Sequence, residues 1–289
     1  MQGNNYLYIE DDEVLAGYLK ELKNSGKLTV AIDFEGEFNL HQYGNRLCLV
    51  QLYDSERSLV IDPFRVSRGK IAGILENRHI LKVMYDSSSD RTLLKRDMGI
   101  NINSILDLKP AVDLLDPVKK DLSSVLWEFL GIRVKGKKKY QMYNWTKRPI
   151  SLEALQYSLS DVQHLFDLRD SLFEKIWERS LLERYFHLNL KIQNKEIPPS
   201  STPRIFKTEK FKRLSKNEQS LLRRLFDVRE ESARKLNLPP NLVVENDLLF
   251  KLVQRTIKLD EVGFHRRVKK KEIQEIKRRF GSIFESLES

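Results

Sequence analysis

Residues 196–204 contain Pro198, Pro199 and Pro203, with Ser200, Ser201 and Thr202 among them. Neither a helix nor a central strand runs through such a stretch, because proline lacks the backbone donor and restricts the residue before it. The chain must therefore fold in two pieces: residues 1–195, a linker over 196–210, and residues 211–289. The pieces read differently. In the first, Leu28 to Glu35, Arg46 to Tyr53 and Ser58 to Asp62 have strand character, and Gly44-Asn45 and Asp54-Ser55 between them predict an antiparallel meander. Ile80 to Tyr85 reads as a fourth strand, Asp90 to Met98 as a helix stopped by Gly99, Asn103 to Leu108 as a fifth strand, and Leu122 to Leu130 as a helix closed by Gly131. From Leu152 to about Leu190 the apolar residues keep a nearly unbroken helical period. That is an α/β piece. After the linker, Glu218 to Leu236, Leu248 to Thr256 and Lys271 to Leu287 read as three helices of a small all-α bundle.

With 40% hydrophobic residues over 289 positions, the chain has enough apolar surface for two real cores. Its single cysteine, Cys48, excludes a framework of internal disulfides. No apolar run approaches the ~20 residues of a membrane span, and Met1 to Asp12 has no basic and apolar leader pattern. The expectation is a soluble, cytoplasmic protein with no membrane partner. Lys and Arg number 51 against 41 Asp and Glu, a net +10. Residues 206–289 hold 21 of the basic and 13 of the acidic residues, so eight of the ten surplus charges sit there. Such an excess points to a polyanion, nucleic acid ahead of a membrane surface.

Three sources of carboxylate stand out. Asp33 and Glu35 end the first predicted strand and share one side of it, about 7 Å apart, while Ile32 and Phe34 take the other. Two such charges on a buried strand repel unless a cation neutralises them, and hard oxygen ligands suit Mg²⁺ or Mn²⁺. A strand simply leaving the core would look the same. Asp90 opens a helix after the fourth strand, where capping is the commoner role. Tyr157 and Asp161 lie one turn apart on a helix face continuous with its apolar stripe, so Asp161 is expected to point inward. The five histidines have no ligand spacing, which argues against zinc.

Taken in order, strand-end Asp-x-Glu, helix-start Asp and helical Tyr-x-x-x-Asp resemble the DEDD 3′–5′ exonucleases of the tyrosine subgroup. The flanking residues are similar to ribonuclease D: Arg46-Leu47-Cys48-Leu49-Val50-Gln51-Leu52 on the second strand, and Trp145-Thr146-Lys147-Arg148-Pro149-Ile150 leading to Tyr157 and Asp161, with Lys138 and Gln141 upstream. Residues 225–233, Leu238-Pro239-Pro240 and Val243 resemble the HRDC module of ribonuclease D and RecQ helicases. The resemblance implies a ribonuclease H-like mixed sheet with flanking helices, followed by a helical nucleic-acid-binding module. It also implies two divalent ions, Mg²⁺ or Mn²⁺. Asp33, Glu35 and Asp161 would hold the first, Asp33 would bridge to the second with help from Asp90, and Tyr157 would orient the attacking water.

The implied activity is two-metal hydrolysis of RNA 3′ ends, such as those of tRNA or other stable-RNA precursors. A DNA exonuclease in repair and a catalytically silent RNA-binding protein are the alternatives. Basic residues interleaved with aromatics suit a single strand, with charges on phosphates and rings on bases. On that ground Lys137, Lys138 and Trp145 are candidate contacts, with Arg266, Arg267, Lys269 and Lys270 in the tail, and the resemblance to ribonuclease D adds Gln141 and Arg148.

Overall fold

The structure is a computed structural model and describes residues 6–134, 137–198 and 202–288. The linker residues 199–201 and the side chains of Lys137 and Lys138 lie outside the described residues. The chain divides into two compact units, one running to Gly36 and resuming at Arg46, the other made of Glu37–Asn45 and the residues after the linker.

The first unit runs β1 (Tyr6–Ile9), α1 (Asp12–Asn24), β2 (Thr29–Phe38), β3 (Asn45–Tyr53), β4 (Ser58–Ile61), α2 (Arg68–Leu75), β5 (Leu81–Met84), α3 (Ser88–Met98), β6 (Ile105–Asp107), α4 (Lys109–Leu115), α5 (Leu122–Leu130), α6 (Lys137–Gln141), α7 (Leu152–Gln163), α8 (Leu165–Glu178) and α9 (Leu182–Asn194). The six strands form one sheet in the order β1-β4-β3-β2-β5-β6. β3 and β4 are antiparallel, and the pairs β1/β4, β2/β5 and β5/β6 are parallel, so the sheet is mixed. The expected meander is the run of neighbours β2-β3-β4.

Strand alternation sorts the side chains into two cores. Val30, Ile32 and Phe34 of β2 pack with Leu15, Tyr18 and Leu22 of α1, Ile71 and Ile74 of α2, and Leu93 and Leu94 of α3. Ala31 of β2, Leu49 and Val83 pack on the other face with Val125, Leu126, Leu155, Leu159, Leu168, Leu172 and Tyr185 from α5, α7, α8 and α9. Gly99 and Gly131 end α3 and α5 in the left-handed region, at φ 66° and 70°, where a side chain would be strained. The structure departs from the sequence expectation at added elements, β1, α1, α2, α4 and α6, and at one divided helix. β1 and α1 precede the first predicted strand, and α1 is capped by Asp11, whose carboxylate accepts from Glu13 N and Val14 N. The stretch 152–190 is three helices, broken at His164 and again near Ser180, which adopts φ 58°.

The second unit contains α10 (Glu209–Lys212), α11 (Lys216–Leu236), α12 (Pro240–Val243), α13 (Asn246–Val253) and α14 (Lys270–Glu288), with 3₁₀ turns at Arg204–Lys207 and Leu259–Glu261. Ser215 and Glu218 close a capping box at the start of α11. Leu221, Leu222 and Leu225 of α11 share a core with Leu249 and Leu252 of α13 and Ile276, Phe280 and Ile283 of α14. No helix among the described residues is long and apolar enough to cross a membrane.

Candidate active site

Asp33 and Glu35 continue the side of β2 that Ala31 occupies, and so face the layer that contains α7. Asp90 lies in the first turn of α3. Tyr157 and Asp161 are one turn apart on α7, whose first turn is capped by Ser151 Oγ accepting from Ala154 N. All five side chains are half-buried.

Their electrostatics show that they share one place. Burial pushes the Glu35 carboxyl well above its ordinary range, and the charges of Asp33, Asp161 and Asp90 push it further. Burial raises Asp33 to about 6, against a lowering hydrogen bond from Phe34 N–H. Asp90 is raised by burial and then by Asp33, Asp86 and Asp107. The Tyr157 phenol is raised by burial and then by Asp161, Glu35 and Asp33. The charges acting on Glu35, Asp90 and Tyr157 are all negative. Four carboxylates with hard oxygen donors and no counter-charge among those influences suit a divalent cation. Among the described residues no three His, Cys, Asp or Glu side chains stand close enough together to hold one.

The residues upstream of α7 divide into those that serve the fold and those that face solvent. The Tyr140 ring stacks on Tyr157, with centroids 4.6 Å apart and planes at 24°, which limits the swing of the phenol. Trp145 is buried, 4% exposed, with Tyr143 edge-on at 4.7 Å. All five N–H groups of Arg148 have protein acceptors: Asp62 Oδ2 at 2.6 Å and Asp62 Oδ1 at 2.9 Å, and the carbonyls of Cys48, Trp145 and Lys147. Trp145 and Arg148, expected as nucleic-acid contacts, are thus a core residue and a strap to the end of β4. Gln141 is exposed. Tyr85 sits at the end of β5, and its hydroxyl donates to Lys120 O at 2.7 Å.

In the second unit Arg266, Arg267, Lys269 and Lys270 are all exposed. Farther along α14 the positive charges are paired internally: Lys277 with Asp260, Arg278 with Glu275, and Arg279 with Glu231.

The Arg148 geometry makes a prediction. Arg148→Ala leaves Asp62, 2% exposed, without its charged partner, though Tyr8 OH and Phe64 N–H still donate to it. It should destabilise the protein by about 3 kcal/mol, the low end for breaking a buried pair, read as a shift in the urea midpoint. A nucleic-acid contact would instead leave the midpoint in place and weaken binding.

The family described as 3′–5′ exonuclease matches residues 6–177, more than half of the chain and the span that holds all five residues. The chain belongs to the 3′–5′ exonuclease family. The HRDC domain matches residues 218–262 of this exonuclease. The exosome complex exonuclease RRP6 of Saccharomyces cerevisiae is 24% identical over 268 residues, covering 86% of this chain and 36% of the relative. Ribonuclease D of Desulfotalea psychrophila is 26% identical over 253 residues, covering 81% and 64%. Escherichia coli RNase D, described as an exoribonuclease involved in structured RNA processing, superposes with a TM-score of 0.75 at 20% identity, covering 99% of this chain and 76% of that one. The fold of this family member is thus shared along nearly its whole length, whereas the chain spans only about a third of the exosome relatives.

Two features of the exonuclease unit have no local signal in the sequence. Tyr140 is legible only as one ring in a basic run, with nothing to announce its stack on Tyr157. Asp107, at the end of β6, is 2% exposed and accepts four hydrogen bonds; the sequence expectation assigns it no role.

Proposed function

We propose that this chain is a metal-dependent 3′–5′ exoribonuclease that trims RNA 3′ ends, those of tRNA or other stable-RNA precursors, in the cytoplasm. The observation that carries the reading is the convergence of Asp33, Glu35, Asp90, Tyr157 and Asp161 from three elements, with carboxylates acting on Glu35, Asp90 and Tyr157 alike. Asp33, Glu35, Asp90 and Asp161 would hold a pair of divalent ions, Mg²⁺ or Mn²⁺, which when bound would supply charge stabilisation to the attacking and leaving oxygens. Burial opposes phenolate at Tyr157, and in this reading its hydroxyl orients the attacking water. Tyr140 keeps the phenol aimed.

RNA is favoured as substrate by the names of the relatives, ribonuclease D and an exosome exonuclease. End-labelled RNA and DNA oligomers of matched sequence, followed in time with Mg²⁺, Mn²⁺ or chelator, test the reading. Stepwise shortening of RNA from its 3′ end, abolished by chelator, is the expected result. Faster shortening of DNA would move the substrate assignment, and full cleavage in chelator would overturn the metal chemistry.

The exposed Arg266, Arg267, Lys269 and Lys270 serve capture of longer RNA in this reading. A chain ending at Thr202 keeps all five candidate residues and should still shorten brief single strands, while binding long RNA more weakly. Every phosphate that the shortened chain no longer neutralises should flatten the log–log salt dependence of binding by about 0.7. Equal slopes with and without the tail, measured on one long RNA, would remove the capture role.

A further inference from the structure

β6 is the margin strand of the sheet, and α9 runs along it. The N–H of Ile105 donates to Gln193 Oε1 at 3.0 Å, and that of Asp107 to Asn189 Oδ1 at 2.7 Å. The carbonyl of Asp107 accepts from Tyr185 OH at 3.0 Å and Asn189 Nδ2 at 3.3 Å. Tyr185, Asn189 and Gln193 are spaced by four, about 6 Å per step along a helix axis. A strand advances about 6.6 Å per two residues, so these side chains keep step with successive outward-facing groups of β6.

The same strand carries the fixing point of α3. The Asp107 carboxylate accepts from Asp86 N at 2.9 Å, from Ser87 N and Ser87 Oγ at 2.8 Å each, and from Lys109 N at 2.9 Å. These bonds hold Asp86 at φ 57°, an unfavourable backbone conformation for a residue with a side chain, at the turn from which α3 starts. Asp90 follows in the first turn, and the next residue, Arg91, donates to the carbonyls of Ile192, Gln193 and Lys195 at the end of α9. The turn before Asp90 and the helix bearing it are therefore both tied to α9, through Asp107 and through Arg91.

We infer that Asp107 and Asn189 are positioning residues: α9 fixes β6, and β6 fixes the turn that aims the Asp90 carboxylate at the metal site. The family match ends at residue 177, before α9 begins. The inference rests on the assignment of Asp90 as a metal ligand made above.

The test uses the full chain and reads Mn²⁺ binding by calorimetry without RNA, together with RNA hydrolysis across a Mn²⁺ series. Asp107→Asn keeps the shape but turns one acceptor into a donor facing other donors. It should weaken Mn²⁺ binding by about tenfold or more, as loss of a ligand's supporting partner does. The half-maximal Mn²⁺ for hydrolysis should move equally, with rate and KM for RNA recovered at saturating Mn²⁺. Ser87→Ala, which removes one of the four bonds, should shift both readouts the same way by less. Wild-type Mn²⁺ affinity in folded Asp107→Asn overturns the inference; if that variant does not fold, wild-type affinity in Ser87→Ala overturns it. Asp90→Asn, measured alongside, separates the two levels. Wild-type binding and hydrolysis there would overturn the ligand assignment itself, and the positioning role with it.

Discussion

Asp33→Asn is expected to lower RNA hydrolysis at saturating metal by on the order of 10³-fold, the scale on which one preorganised stabiliser of transition-state charge matters. In the proposed arrangement Asp33 would contribute to both ions, so its loss would leave neither position complete. The metal-free protein should respond in the opposite sense. Folding raises the Asp33 carboxyl from an ordinary value near ~3.9 to about 6. Between those values the folded chain binds more protons than the unfolded one, so metal-free stability falls as pH rises through this window. Above about 6 the full penalty of a buried carboxylate is present. The asparagine variant escapes it and should melt higher than the parent at pH 7 in chelator, with the difference closing near pH 4. Thermal midpoints of both proteins at several pH values, beside single-turnover rates, check the two halves. Unchanged hydrolysis in the variant would remove Asp33 from the chemistry.

Tyr157→Phe should slow the chemical step by about 10²-fold, the usual lower range for a group that manages a proton or a water in the transition state. The ring and its stack on Tyr140 survive the change, so RNA affinity and thermal midpoint should stay near those of the parent. A single-turnover rate within twofold of the parent would make Tyr157 a packing residue.

Much of the site is legible in the sequence because its signals are local. The period of a strand alone puts Asp33 and Glu35 on one side, and the helical step alone joins Tyr157 to Asp161. Gly99 and Gly131 mark helix ends because the left-handed turn there tolerates few other residues. The rest depends on partners distant in sequence. β1 is four residues, too short for alternation to register, and exists through its pairing with β4. α1 does carry local signals, a cap at Asp11 and the Leu15-Tyr18-Leu22 spacing, which the sequence expectation leaves out. The breaks at His164 and Ser180 interrupt the backbone without interrupting the apolar period. Trp145 and Arg148 have the residue types of a nucleic-acid surface, and only burial and the Asp62 pairing reveal them as structural. Asp107 looks like any strand-end acid until its four donors are seen.

The side chains that occupy the outward N–H groups of β6 also bear on self-association. An unpaired strand margin is a template on which a second chain can add, and proteins protect themselves by blocking it. Here the blockers are amides on a helix: an arriving strand would find the Ile105 and Asp107 donors already engaged by Gln193 and Asn189. The opposite margin of the sheet is β1, described over Tyr6–Ile9.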